Sequence, residues 1–154
     1  MEVSQSSSSK MDADVGMDVS QSNSTPLFVE IFAGKGAFSR AALQAGLRVV
    51  SIDHDVAQPL APMVALDLTS KSGCDILWDI LESPGLGAVH MGLPCSTSSR
   101  ARELPIPQAM KQAGVPEPPP LRSAEFPMGL PNLAPHHQAR VTSANILYAL
   151  AVEI

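Results

Sequence analysis

This 154-residue chain has two cysteines, six Phe, Tyr and Trp residues in all, no long apolar run and no excess of basic charge. Each shortage excludes something. A helical membrane span needs about 20 consecutive apolar residues, and none exists here. Cys74 and Cys95 stand in unrelated contexts without C-x-x-C spacing, so neither a disulfide framework nor a zinc site is indicated, and an intracellular, reducing setting is expected. The opening MEVSQSSSSKMDADVGMDVSQSNST lacks the apolar core of roughly 7–15 residues that a secretory signal carries, and it is acidic where a transit peptide is basic. No export is expected. Of the formal net charge of -5, Glu2, Asp12, Asp14 and Asp18 against Lys10 place -3 in the first 25 residues and leave -2 for the rest. The average surface therefore lacks the basic character on which non-specific nucleic-acid binding rests, and only a local patch would serve.

What is present is 45% hydrophobic residues in a length that suits one domain. Residues 1–25, rich in Ser, Asp, Gln and Met, hold too little apolar area to offset the entropy of ordering and are expected to be disordered. From Pro26 the pattern changes. LFVEIF (27–32) predicts a strand, AGKGAFSRAALQAG (33–46) a helix stopping at Gly46, and RVVSID (48–53) a second strand, which together make a βαβ unit. MVALDL (63–68) predicts a third strand, Ser72 to Glu82 a helix, and GAVHMGL (87–93) a fourth strand. Such alternation predicts an α/β fold with a mostly parallel sheet. Residues 94–135 hold ten of the 14 prolines, including PEPPP at 116–120, and predict a long loop. ARVTSANILYALAVEI (139–154) is helical in pattern to its last residue, without a stop signal, so the sheet is expected to be truncated on its C-terminal side.

Two constellations could carry chemistry. Gly34-Lys35-Gly36 lies between a predicted strand and helix, with Asp53 at the end of the next strand. Glycines permit a tight turn and close approach to a ligand, and a carboxylate at that strand tip can accept from ribose hydroxyls. A tight turn with no ligand fits the same residues, and Asp67 after the third strand is either a second ligand carboxylate or a helix-start residue. The third glycine of the dinucleotide fingerprint is absent, since Ala37, Phe38 and Ser39 follow Gly36, which disfavours an NAD-binding oxidoreductase. The second constellation is HMGLPCSTSSRAR (90–102). Cys95 there would be a nucleophile if a neighbouring Arg100, Arg102 or backbone amide favours its thiolate, or else a small buried hydrophobe, the role Cys74 also fits. Arg100, Arg102, Lys111 and Arg122 could face phosphates or simply be solvated; His136-His137 reads as an exposed pair in preference to metal ligands; PEPPP reads as a stiff connector in preference to a partner's ligand.

VEIFAGKGAFS resembles the opening motif of the DNA (cytosine-5) methyltransferases, roughly D-L-F-x-G-x-G-G-F-S, and GLPCSTSS resembles their nucleophile motif, roughly G-P-P-C-Q-x-x-S. SIDHDVA and LDLT are similar to the family's E-x-D-x-x-A and G-D-I-T stretches, so the resemblance spans about 28–102. It implies a Rossmann-like methyltransferase sheet, with Phe32, Gly34 and Gly36 against S-adenosylmethionine, Asp53 on its ribose, Asp67 on its adenine amino group and Cys95 attacking C6 of a target cytosine. Nucleic acid, DNA rather than RNA, is the implied partner, with Ser99, Arg100 and Arg102 as candidate contacts. Glu30, Ala37, Leu93 and Ser96 depart from the motifs, and no Glu-Asn-Val or Glu-Asn-Pro motif, which holds the family's catalytic glutamate, precedes Ile154. The expectation is an incomplete methyltransferase, active only if another chain supplies the missing elements, and the absent glutamate favours the alternative, a non-catalytic cofactor-binding remnant or interaction module.

Overall fold

The computed structural model describes residues 25–154, so the disorder expected over residues 1–25 lies, Thr25 apart, outside the described residues. Strands β1 (Leu27–Ile31), β2 (Arg48–Asp53), β3 (Met63–Ala65) and β4 (Leu86–Met91) form one all-parallel sheet in the order β3-β2-β1-β4. The fold is α/β, and this strand order is consistent with the first four positions of the 3-2-1-4-5-6 order of doubly wound sheets. Strand β1 is central, pairing Val29 with Val50 on one side and Val89 on the other. A strand covered on both faces and both edges must be apolar nearly throughout, and all five of its residues are buried.

Alternation along β1 assigns the two faces. Leu27, Val29 and Ile31 join Ile52, Leu66, Leu68, Leu77 and Leu150 in the main core, which brings in α2 (Lys71–Leu81) and α4 (Pro135–Glu153). Phe28 and Glu30 point to the opposite face, beneath α1 (Ala37–Gln44), where Phe28 meets Phe38 edge to face. That face holds an unusual feature, a buried carboxylate. Glu30 is 5% exposed, and its Oε2 accepts from the Ser39 backbone N–H at 2.8 Å and from the Ser39 hydroxyl, tying β1 to the first turn of α1. Its Oε1 lies 3.6 Å from His90 Nδ1 on β4, its register partner.

Several boundaries differ from the periodicity. The first helix begins at Ala37, not at residue 33, because Gly34 and Gly36 take positive φ (57° and 72°), which a helix does not accommodate. The first strand ends at Ile31, since Phe32 already has φ 58°. The third strand covers only Met63–Ala65: beyond it Asp67 Oδ1 accepts from the Thr69 backbone (2.9 Å) and hydroxyl (2.6 Å), turning the chain toward Ser70, the N-cap of α2. The last helix starts at Pro135 instead of residue 139, as proline suits the first helical position, where its missing N–H costs nothing. The 94–135 segment is not an unbroken loop, for it contains a 3-10 turn at Arg100–Glu103 and the short helix α3 (Gln108–Gln112). No helix among the described residues is long and apolar enough to cross a membrane.

Candidate functional site

The carboxyl ends of parallel strands are where an open α/β sheet leaves a crevice, because the chain departs from adjacent strands in divergent directions. Here that edge holds a cleft of about 460 Å³, within the range of small-ligand sites. Phe32 follows β1, Asp53 and His54 end and follow β2, Leu66 to Thr69 follow β3, and Gly92 and Pro94 follow β4; Ser143 and Leu147 of α4 close the cleft. Of the residues singled out in the sequence, Phe32, Asp53 and Asp67 line it.

Phe32 holds a left-handed backbone, a conformation costing a non-glycine residue on the order of 1–3 kcal/mol and concentrated at binding sites. Opposite it, a Cβ on Gly92 would stand 2.9 Å from the Phe32 carbonyl oxygen, so only glycine lets β4 leave the sheet this close to the β1 turn. Asp53 is bound to the glycine turn: its Oδ2 accepts from Gly34 N at 2.8 Å and its Oδ1 from His54 N at 2.7 Å. Each oxygen keeps a further lone pair. Asp67 uses Oδ1 for the Thr69 hydroxyl and N–H, and these bonds hold its carboxyl below the usual 3.8, ionised throughout the neutral range.

Gly34 and Gly36 divide. Gly34 has open space around its Cα and reaches the site through Asp53. Gly36 is the N-cap of α1, where an added Cβ would meet Ala61 and Met63, and it does not line the cleft. The fourth strand leads through Pro94 to Cys95, which is exposed one residue beyond the cleft wall. The Cys95 carbonyl accepts from Ser98 N (3.0 Å) and Ser99 N (2.8 Å), making a tight turn of this segment.

The basic residues are placed differently from a phosphate-facing row. Arg102 donates to the Pro119 carbonyl (3.0 Å) and the Ser96 carbonyl (3.1 Å), and Arg122 is directed inward to Thr97, Pro127 and Asn145. Lys111 pairs with Glu117 at 2.6 Å, while the exposed Arg100 stands 3.6 Å from Glu103. Ser99 caps the 3-10 turn by accepting from Ala101 N at 3.2 Å. The His136 and His137 ring centres lie 3.9 Å apart with the rings tilted 45° to one another, and no third metal-ligating side chain joins them among the described residues. His54, Thr69, Ser143 and Leu147 are cleft residues that the sequence reading missed. Ser143 and Leu147 carried a signal, their four-residue spacing on one helix face.

The two thiols differ in kind. Cys74 donates to the Leu68 carbonyl at 3.4 Å, and burial, followed by the Asp75 charge, pushes its pKa above 9.0. At pH 7 iodoacetamide is therefore expected to label Cys95 and spare Cys74, as read by peptide mass; equal labelling would show that Cys74 opens readily. Comparison of the chain with protein-family models, with curated proteins and with solved structures finds no match.

Proposed function

We propose that this chain binds S-adenosylmethionine in the cleft at the strand tips and belongs functionally with nucleic-acid cytosine methyltransferases, with Cys95 as nucleophile. The observation that carries the reading is the convergence of two carboxylates from adjacent strand ends, Asp53 and Asp67, with the strained Phe32 turn on one cleft that ends beside an exposed cysteine.

The residues present fit the cofactor. The walls contributed by Phe32, Leu66, Leu68 and Leu147 are apolar and suit a flat purine, while the free lone pairs of Asp53 suit ribose hydroxyls and the second oxygen of Asp67 suits an exocyclic amino group. When bound, the cofactor would supply an electrophilic methyl group. The chain's own contribution is binding, orientation and attack. Cys95, giving its proton to solvent, would add through sulfur to C6 of a cytosine ring, moving the C5=C6 electron pair onto C5, where it forms the bond to the incoming methyl group; loss of the C5 proton to solvent then leaves its bonding pair to re-form the double bond while the sulfur departs with the C–S pair.

Calorimetric titration of the full chain with S-adenosylhomocysteine tests the cofactor half of this reading, with NAD as the comparison ligand. One saturable event with S-adenosylhomocysteine and none with NAD is expected. Binding of NAD alone, or of neither by folded chain, would overturn it.

A further inference from the structure

Cys95 is the exposed member of a turn whose other residues are held from outside. Its neighbours Pro94, Thr97 and Ser98 are each held by a side chain distant in sequence, and Ser96 by Arg102 six residues on. Tyr148 of α4 donates its hydroxyl proton to the Pro94 carbonyl at 2.8 Å, so at the second 2.8 Å contact the Ser98 hydroxyl must be the donor and Tyr148 the acceptor. Arg122 donates to the Thr97 hydroxyl from Nε at 3.2 Å and from Nη2 at 3.0 Å, and Thr97 is only 2% exposed. The remaining Arg122 donors reach Asn145 Oδ1 (2.7 Å), the Pro127 carbonyl (2.6 Å) and the Val141 carbonyl (3.5 Å), and the guanidinium lies 5.4 Å from the centre of the Tyr148 ring. Arg102 holds the Ser96 carbonyl.

We infer that Tyr148 and Arg122 are positioning residues for Cys95, fixing the Pro94 carbonyl before the thiol and the Thr97 and Ser98 hydroxyls after it while leaving the sulfur exposed just beyond the cleft wall. The inference rests on the reading of Cys95 as nucleophile. Attack on a planar ring demands a defined approach, and displacement of a reacting atom by about 1 Å can cost a hundredfold in rate.

Two measurements on the full chain test this, using Y148F, R122K and the surface variant S98A, which removes one contact with little risk to folding. First, a nitroxide label on Cys95 in a C74S background reports the order of the turn. Broad lines are expected for the parent and narrowed lines for all three variants. Second, exchange of the cytosine C5 hydrogen in a single-stranded oligonucleotide in D2O reports attack without any cofactor. The thiolate adds to C6, C5 takes a deuteron from solvent and releases its proton, and the sulfur leaves with the bonding pair.

The limiting exchange rate is expected to fall at least tenfold in Y148F and R122K, with the half-saturating oligonucleotide concentration unchanged within twofold. Loss of folded protein would lower the concentration of active sites, counted separately by circular dichroism, and not the rate per folded chain. Unchanged line shapes, or rates within twofold of the parent, would overturn the positioning role. A parent chain without exchange would overturn the nucleophile itself, and the positioning role with it, a failure distinct from exchange that persists in the variants.

Discussion

Replacing Asp53 by alanine is expected to weaken S-adenosylhomocysteine binding by about ten- to a hundredfold or slightly more, corresponding to the roughly 1.5–3 kcal/mol carried by hydrogen bonds to a charged group. The effect has two sources. The carboxylate offers the ligand two lone pairs, and it holds the β1 turn in place through the 2.8 Å bond from Gly34 N. Without it, the left-handed Phe32 turn loses one link to the end of β2 and keeps the bond from Ala33 N to the Ile52 carbonyl (3.1 Å), so the wall opposite the ligand loosens. D53N separates these sources, because an amide oxygen still accepts from one N–H while the amide nitrogen accepts from nothing; an intermediate loss is expected. D55A, two positions along on an exposed residue, should leave affinity unchanged. Calorimetry on each folded variant decides the matter. If D53A binds as tightly as the parent, Asp53 serves the turn alone and the ribose assignment is wrong.

The second large effect is on stability. E30A should destabilise the fold by about 3 kcal/mol, since the Ser39 N–H and hydroxyl, both on a residue 0% exposed, would lose their shared acceptor and each unsatisfied donor costs on the order of 1–3 kcal/mol. In a domain of this size that is roughly a 10 °C fall in melting temperature. E30Q keeps an oxygen toward Ser39 and should lose about 1 kcal/mol, the difference between a charge-assisted and a neutral bond. Urea and thermal unfolding read both values. A variant E30A as stable as the parent would mean that water enters beneath α1 and satisfies Ser39, so that the carboxylate is tolerated there without holding the helix.

The alternation of strand and helix, the βαβ start and the strand-tip positions of Asp53 and Asp67 were legible in the sequence because each rests on local signals: LFVEI is apolar but for Glu30, RVVSID is rich in β-branched residues, and Gly34-Lys35-Gly36 falls between them. What was not legible depends on partners distant along the chain. Glu30 stood out only as a departure from a motif, while its role comes from Ser39 nine residues on and His90 on a neighbouring strand. The proline-rich stretch looked featureless because its order comes from Arg102 and Arg122 bonding to carbonyl and hydroxyl oxygens, which leave no periodic trace. The same residues looked like a cationic surface for want of any local sign that they turn inward. Tyr148, the one tyrosine, lay in a helical pattern whose contact with Pro94 spans 54 residues.

The all-parallel sheet has a temporal consequence. No two of its strands can pair through a hairpin: β1 meets β2 with Val29 opposite Val50, and meets β4 with Val29 opposite Val89 sixty residues later. Closing such separations before any contact rewards them makes folding slow, in the manner of other topologies dominated by non-local pairing. During synthesis at about 5–20 residues per second, the apolar strand LFVEI emerges some 3–12 s ahead of the strand that completes its second edge. For those seconds the unpaired N–H and C=O groups along its open edge form a template for any extended segment nearby.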